Sequence, residues 1–257
     1  MIRTMATIQS IYRYPVKGLS PEALVRTSLS SGETIAADRT YAIENGPSEF
    51  DPSAPAFKSK MHFLMLMRNS RIAALQSLFD TNSHVLTLYC NDRPAVRGDL
   101  RTADGRRAIE EFFANYCVGE IRGAPKIVSA PGHSFSDSPG KVISIVNLAS
   151  VATIEPLVGA AVNPLRFRGN IYIAGWPAWH ERDLIGSEIA FGPSARVKIV
   201  SPIERCAAVD VDPETGIRDL SIPDALMQSF GNIDCGVYGE VIADGDIIVG
   251  DLVTSAQ

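Results

Sequence analysis

Cysteine and histidine are scarce in this chain of 257 residues, with four of each. Cys90, Cys117, Cys206 and Cys235 form no CxxC pair, so neither a zinc ribbon nor a disulfide scaffold is indicated. His62, His84 and His133 show no metal-ligand spacing to one another. No run of about 18 apolar residues occurs, so no transmembrane helix is expected. Nothing near the start resembles a signal peptide, and a cytoplasmic, reducing setting is the expectation. Positive charge is not in excess: the formal net charge is -5. A general nucleic-acid or anionic-membrane binder needs a basic face, so both classes lose ground. Walker, G-x-G-x-x-G, G-x-S-x-G and HExxH motifs are all missing, so the common nucleotide and hydrolase classes lose weight.

What is present is an ordinary globular composition, 46% hydrophobic and 21% charged, in a length comfortable for two domains. Residues 7–17 read as a strand running into a turn at Pro15 and Gly18. A second strand is expected from Asp38, ended by Asn45-Gly46-Pro47, and 47–60 reads as an irregular loop. The apolar spacing of 69–79 fits a helix or a strand. Residues 84–90 read as a strand and 107–117 as an amphipathic helix. Residues 119–140, rich in Gly, Pro and Ser, read as a linker or mobile loop. A strand and short helix follow over 142–158, with Asn147 or Ser150 as the cap. Strand-like runs then recur at 166–175, 187–192, 196–203, 207–212 and 240–253, the pattern of a barrel or sandwich. The expected fold is mainly β with a few helices (α+β).

The most informative run is Arg166-Phe167-Arg168-Gly169-Asn170. In a strand, alternate side chains share a face, so Arg166, Arg168 and Asn170 would project together. Guanidinium forks suit phosphate oxygens and an Asn amide suits a heterocycle edge. The competing reading is a solvated face with ordinary ion pairs. Lys17, on a rigid turn, is a plausible anion contact or simply solvated. Asp38 and Arg39 would point to opposite faces of a strand. Cys206, beside Arg205, is either a low-pKa nucleophile or soft metal ligand, or a small buried hydrophobe; Cys235 has the same two readings. Asp212-Pro213-Glu214-Thr215-Gly216 reads as a structural turn. Trp176 and Trp179, beside His180 and Glu181, read as a packed aromatic loop rather than an acid–base pair.

In order, these pieces resemble one family. Tyr14-Pro15-Val16-Lys17-Gly18 and Asp38-Arg39-x-Tyr41 resemble the N-terminal β-barrel domain that precedes MOSC domains. Arg166-Phe167-Arg168-Gly169-Asn170-Ile171, Ala178-Trp179-x-Glu181, Leu184-Ile185-Gly186, Arg205-Cys206, Asp212-Pro213-x-Thr215-Gly216 and Val249-Gly250-Asp251 resemble the MOSC domain itself. The resemblance covers nearly the whole chain. It implies an N-terminal barrel-like domain over 1–118 packed on a MOSC barrel over 119–257. Such domains occur in the molybdenum cofactor sulfurase and the mitochondrial amidoxime-reducing component. The resemblance implies the molybdenum cofactor, a phosphorylated pterin dithiolene (molybdopterin). It implies Lys17, Arg39, Arg166, Arg168, Asn170 and Arg205 as its binding residues. The implied activity is reduction of N-hydroxylated or N-oxide-like small molecules, with electrons from a separate protein. Where amidoxime-reducing members carry a molybdenum-ligating cysteine, this chain has Asn232 or a neighbour. Cys235, three residues on, is the substitute metal ligand, and Cys206 is the other candidate. A sulfur or cofactor carrier, using a persulfide on Cys206 or Cys235, is the alternative.

Overall fold

The computed structural model describes residues 5–255. Its strands are β1 (Ala6–Arg13), β2 (Glu22–Leu24), β3 (Arg26–Leu29), β4 (Ala42–Asn45), β5 (Gln76–Asp80), β6 (Val85–Cys90), β7 (Arg93–Asp99), β8 (Pro125–Val128) and β9 (Ile143–Asn147). They continue with β10 (Ile171–Ala174), β11 (Glu188–Phe191), β12 (Ala195–Glu204), β13 (Asp234–Ala243), β14 (Gly245–Ile248) and β15 (Leu252–Ser255). The helices are α1 (Ala103–Tyr116), α2 (Leu148–Ala152), α3 (Glu155–Val158), α4 (His180–Asp183) and α5 (Ile222–Phe230).

Seven of these strands close into a barrel in the order β10-β9-β13-β12-β11-β15-β1, and β1 pairs back onto β10 to shut it. Closure leaves no free edge within the barrel. Only β9 and β10 run parallel; α2, α3 and the 164–167 turn lie on the crossover between them. Period-2 alternation sorts the side chains. Ile143, Ile145, Ile171, Ile173, Val197, Ile199 and Val237 fill the interior. Val146 and Tyr172 point outward, where Val151, Ile154, Ile222 and Leu226 from the helices cover them. Each such fully buried aliphatic side chain stabilises the fold by about 1.5–3 kcal/mol. Asn147 starts α2, its side chain accepting from Ala149 N at 3.1 Å.

The barrel draws its first strand from the other end of the chain, and β3 pairs with β14. The rest of the N-terminal half has its own core. There β5-β6-β7 and the β4-β8 pair pack with α1 around Leu64, Leu75, Leu86, Leu88, Ile109 and Phe113. Thr102 caps α1 by accepting from Gly105 N at 3.0 Å.

Several expectations need correction. Residues 36–39 form a turn, with Arg39 at φ 53, and the strand begins only at Ala42. The 69–79 segment is neither one helix nor one strand: a 3-10 turn over Ser70–Ala74 leads into β5. The expected 119–140 linker contains β8, whose pairing with β4 is a tertiary fact hidden by flanking Gly and Pro. Residues 207–212 carry only a bridge from Val211 to Arg218. The 166–170 run is not a strand. Pro164 and the Asn163 side chain, accepting from Leu165 N, start a 3-10 turn over Pro164–Phe167. Arg168 then takes a left-handed conformation, and the strand starts at Ile171.

Candidate functional site

A cleft of about 530 Å³ opens between the barrel and the N-terminal half. Six cations line it: Lys17, Arg39, Lys60, Arg166, Arg168 and Arg205. The sequence run 166–170 therefore does reach one site, though not by strand alternation. The 3-10 turn and the left-handed Arg168 aim each arginine differently.

Arg166 is tied to carboxylates of the chain itself. Its Nη1 and Nη2 donate to both oxygens of Asp219 at 2.8 Å each, Nη2 donates to Asp212 at 3.2 Å, and Nη1 donates to Asp210 O at 3.0 Å. Two carboxylates neutralise its charge. The Asp212-Pro213-x-Thr215-Gly216 turn thus does more than bend the chain. Asp212 Oδ1 accepts from Glu214 N and Thr215 N, which leaves Oδ2 to orient Arg166.

Arg168 and Arg205 differ: each is held by carbonyl oxygens and meets no carboxylate among the described residues. Arg168 donates to Leu19 O at 2.9 Å and lies over the Tyr14 ring, 4.3 Å from its centroid. Arg205 donates to Cys235 O at 2.7 Å and Phe167 O at 2.8 Å, is buried, and has no hydrogen-bond partner for Nη2. Gly236 makes its room: at φ +79, a Cβ there would lie 2.6 Å from Ile145 O and 3.0 Å from Arg205 Nη2. Gly169 is equally constrained, since a Cβ would meet Val146 Cγ2 at 2.7 Å.

Arg39 is paired with the neighbouring Asp38, so a turn brings together the two groups that a strand would have separated. It donates to Arg168 O and covers the other part of Tyr14, 4.8 Å from the centroid. The Tyr14 hydroxyl is pushed above its ordinary pKa by burial, against the pull of Arg168 and Arg39. Asn170 lines the cleft, but its amide is committed: Oδ1 accepts from Ser144 N and Oγ, and Nδ2 donates to Tyr12 O. It fixes the floor rather than offering a free edge.

On the opposite wall, Lys17 Nζ donates to Phe135 O at 2.8 Å and to Asp137 at 2.5 Å. Burial pulls the Lys17 pKa below its usual value, and Asp137 opposes that. Lys60 donates to Cys206 Sγ at 3.2 Å. Burial alone would lower the Lys60 pKa, but Asp137 and Cys206 outweigh it and raise it. Lys60, Asp137 and Tyr238 were not singled out in the sequence. The first two sit in Ser- and Pro-rich loops without periodic pattern, and Tyr238 sits in an unremarked strand.

The two candidate cysteines separate. Cys206 is half-buried and lines the cleft. Cys235 is fully buried beneath it in the helix-covered layer, and burial raises its pKa to about 12. A thiol enclosed and protonated in this way is not a nucleophile, and it does not reach the cleft as a metal ligand. Asn232 accepts from Arg182 at 2.9 Å and is not among the cleft residues. Glu181 is wholly buried and accepts from Asn147 and Ser150 at 2.8 Å each; it holds the aromatic loop, while His180 faces Asp183.

Fold and site together define a two-part β protein whose closed barrel carries a cation-lined cleft. The chain belongs to the MOSC family: residues 5–119 match the MOSC N-terminal beta barrel domain and 132–254 match the MOSC domain. MOSC domains are generally associated with molybdenum-cofactor binding. Among solved structures, YiiM from Geobacillus stearothermophilus is similar at 22% identity and TM-score 0.35, over 45% of this chain and 54% of that one. YiiM from Escherichia coli is similar at 18% and 0.34, again over 45% and 54%. The chain thus spans about half the length of these YiiM structures. The YUAD protein from Bacillus subtilis is similar at 14% and 0.45, over 98% and 97%. No functionally curated protein matches the chain. No helix among the described residues is long and apolar enough to cross a membrane.

Proposed function

We propose that the cleft binds the molybdenum cofactor, and that the loaded protein reduces N-hydroxylated or N-oxide-like small molecules with electrons from a separate protein. The observation that carries this reading is that Arg168 and Arg205 line one cleft without a carboxylate partner among the described residues, with Lys60 in the same lining. A desolvated cation without an anion is costly, so such a group of charges favours a ligand that brings negative charge. A phosphate monoester does so, and guanidinium forks match its oxygens. The volume suits a compact organic ligand. The unpartnered Arg205 Nη2 is a donor waiting for an acceptor.

The residues therefore fit the group. Arg168 and Arg205 would hold its phosphate, and Lys60 and Lys17 would add charge from the other wall. Buried Met65 and Leu66 present apolar surface to the cleft and exclude water. Cys206 Sγ is the one thiol among the lining residues and takes the ligand role expected of Cys235. When bound, the cofactor supplies metal-centred two-electron chemistry, and the protein supplies binding, orientation and electrostatics. Without ligand, Lys17 Nζ donates to Phe135 O and Asp137, which holds the ammonium on the cleft wall.

A second reading rests on Cys206 itself. The Cys206 thiol lines the cleft and meets Lys60 Nζ at 3.2 Å, where it could attack the outer sulfur of a persulfide donor, taking that sulfur as its own persulfide while the donor leaves as a thiolate. Metal analysis paired with pterin fluorescence after oxidative release separates the two, on protein expressed in a cofactor-competent host. Near-stoichiometric molybdenum and pterin are expected. Neither one, in a folded sample, overturns the cofactor reading. The carrier reading then requires cyanide-releasable sulfur that Cys206→Ser abolishes; full retention in that variant sinks it.

A further inference from the structure

Residues 129–142 form a strap beside the cleft, which Ser136, Asp137 and Val142 line, and it is anchored at two points. At the first, Phe135 packs on Phe50 and Phe63 with ring centroids 4.9 and 5.4 Å away, and its N–H donates to Arg39 O at 2.8 Å. Ser134 Oγ adds a bond to Asp38 O at 3.2 Å. At the second, Lys141 pairs with Glu33 at 2.6 Å on the exposed side. Between the anchors the polar contacts are local: Ser136 Oγ donates to Ser138 O and Gly140 N donates to Ser138 Oγ. The exception is Asp137. Its carboxylate reaches into the cleft, meets Lys17 Nζ at 2.5 Å and faces Lys60 and Arg39.

The two ends of this ion pair are unequal. The Lys17 side chain is only 8% exposed, whereas that of Asp137 is 47% exposed. A buried ammonium needs an anion beside it, while a half-exposed carboxylate can return to water at little cost. Resting on the anion-cleft reading above, we propose that Asp137 is a resident competitor: it occupies the anion position at Lys17 and is displaced when a phosphate-bearing ligand enters. Residues 136–140 can then swing outward while Phe135 and Lys141 keep the strap in place. The carboxylate stabilises the cleft without ligand and lowers its apparent affinity for one. It also confines tight binding to ligands with enough negative charge to outcompete it.

The test is calorimetric titration of inorganic phosphate into the full chain and its Asp137→Asn and Asp137→Glu variants. Asn keeps the shape of Asp at a half-exposed position, and Glu keeps the charge. Competition predicts roughly tenfold tighter phosphate binding in Asp137→Asn, the size of effect expected from relieving one close like-charge contact. It predicts near-parent affinity in Asp137→Glu. Unchanged or weaker binding in Asp137→Asn overturns the proposal but leaves the cation cleft standing, as does equal tightening in both variants. Phosphate binding to none of the three overturns the proposal and the cleft reading together.

Discussion

The two walls of the cleft hold their charges by different means. On the barrel wall, carbonyl oxygens of closed-barrel elements and turns fix Arg168 and Arg205, through Leu19, Cys235 and Phe167. On the opposite wall, Lys17 and Lys60 come from a turn and from the end of a long loop. Lys17 is fixed by an ion pair together with the Phe135 carbonyl, and Lys60 by a sulfur contact. A carbonyl orients a guanidinium without neutralising it, so the barrel wall keeps its net charge. A carboxylate orients and neutralises at once, as Asp212 and Asp219 do for Arg166. Charge that an arginine's other bonds leave uncompensated is therefore a stronger sign of a ligand contact than proximity to a cleft.

The largest effect should come from Arg205→Ala. It strips two buried carbonyls of their donor and empties a buried site. Destabilisation of about 2–4 kcal/mol is expected in denaturant melts, with loss of cofactor retention. Unchanged stability would mean that the barrel wall does not depend on this residue. Next comes Arg168→Ala, which removes a partly exposed side chain. Molybdenum content should fall at least tenfold while the melting curve moves little; a large stability loss would make Arg168 structural.

Thiol labelling compares the layers directly. Cys206, half-buried on the cleft, should react at pH 8 in the folded chain, whereas Cys235 should stay unmodified until the chain unfolds. Rapid labelling of Cys235 would contradict its burial. The smallest effect concerns pH. Burial raises Cys235 to about 12 and Cys117 to about 11, from an ordinary 9.0. Above about pH 9 the unfolded chain releases thiol protons that the native state retains, so stability falls as pH rises toward 11–12. Cys235→Ser should flatten part of that decline, and an unaltered slope would assign it to other groups.

Much of the fold was legible because strands such as β6, β9 and β12 carry β-branched residues at period 2 or in continuous runs. Several residues of the family motifs, among them Lys17, Arg39, Arg168 and Arg205, line the cleft. Its geometry was not legible. The 166–170 run reads as a strand locally, but Pro164 and Asn163 set a 3-10 turn before it, which changes where each arginine points. Cys206 and Cys235 are alike in sequence, and only the barrel's layering buries one and exposes the other to the cleft. Lys60 and Asp137 sit in loops without pattern, and they meet the barrel cations only through tertiary packing.

On the proposed function, an arginine without a carboxylate partner binds the ligand, and one locked by fixed carboxylates, as Arg166 is by Asp212 and Asp219, does not. Titrating inorganic phosphate into Arg168→Ala and into the double variant Arg166→Met/Asp219→Asn tests it most directly, because the second removes an ion pair without changing net charge. The account predicts at least tenfold weaker binding in Arg168→Ala and binding within about threefold of the parent in the double variant, the range separating a charge-assisted contact from a neutralised one. Equal losses in both, or a greater loss in the double variant, would contradict it.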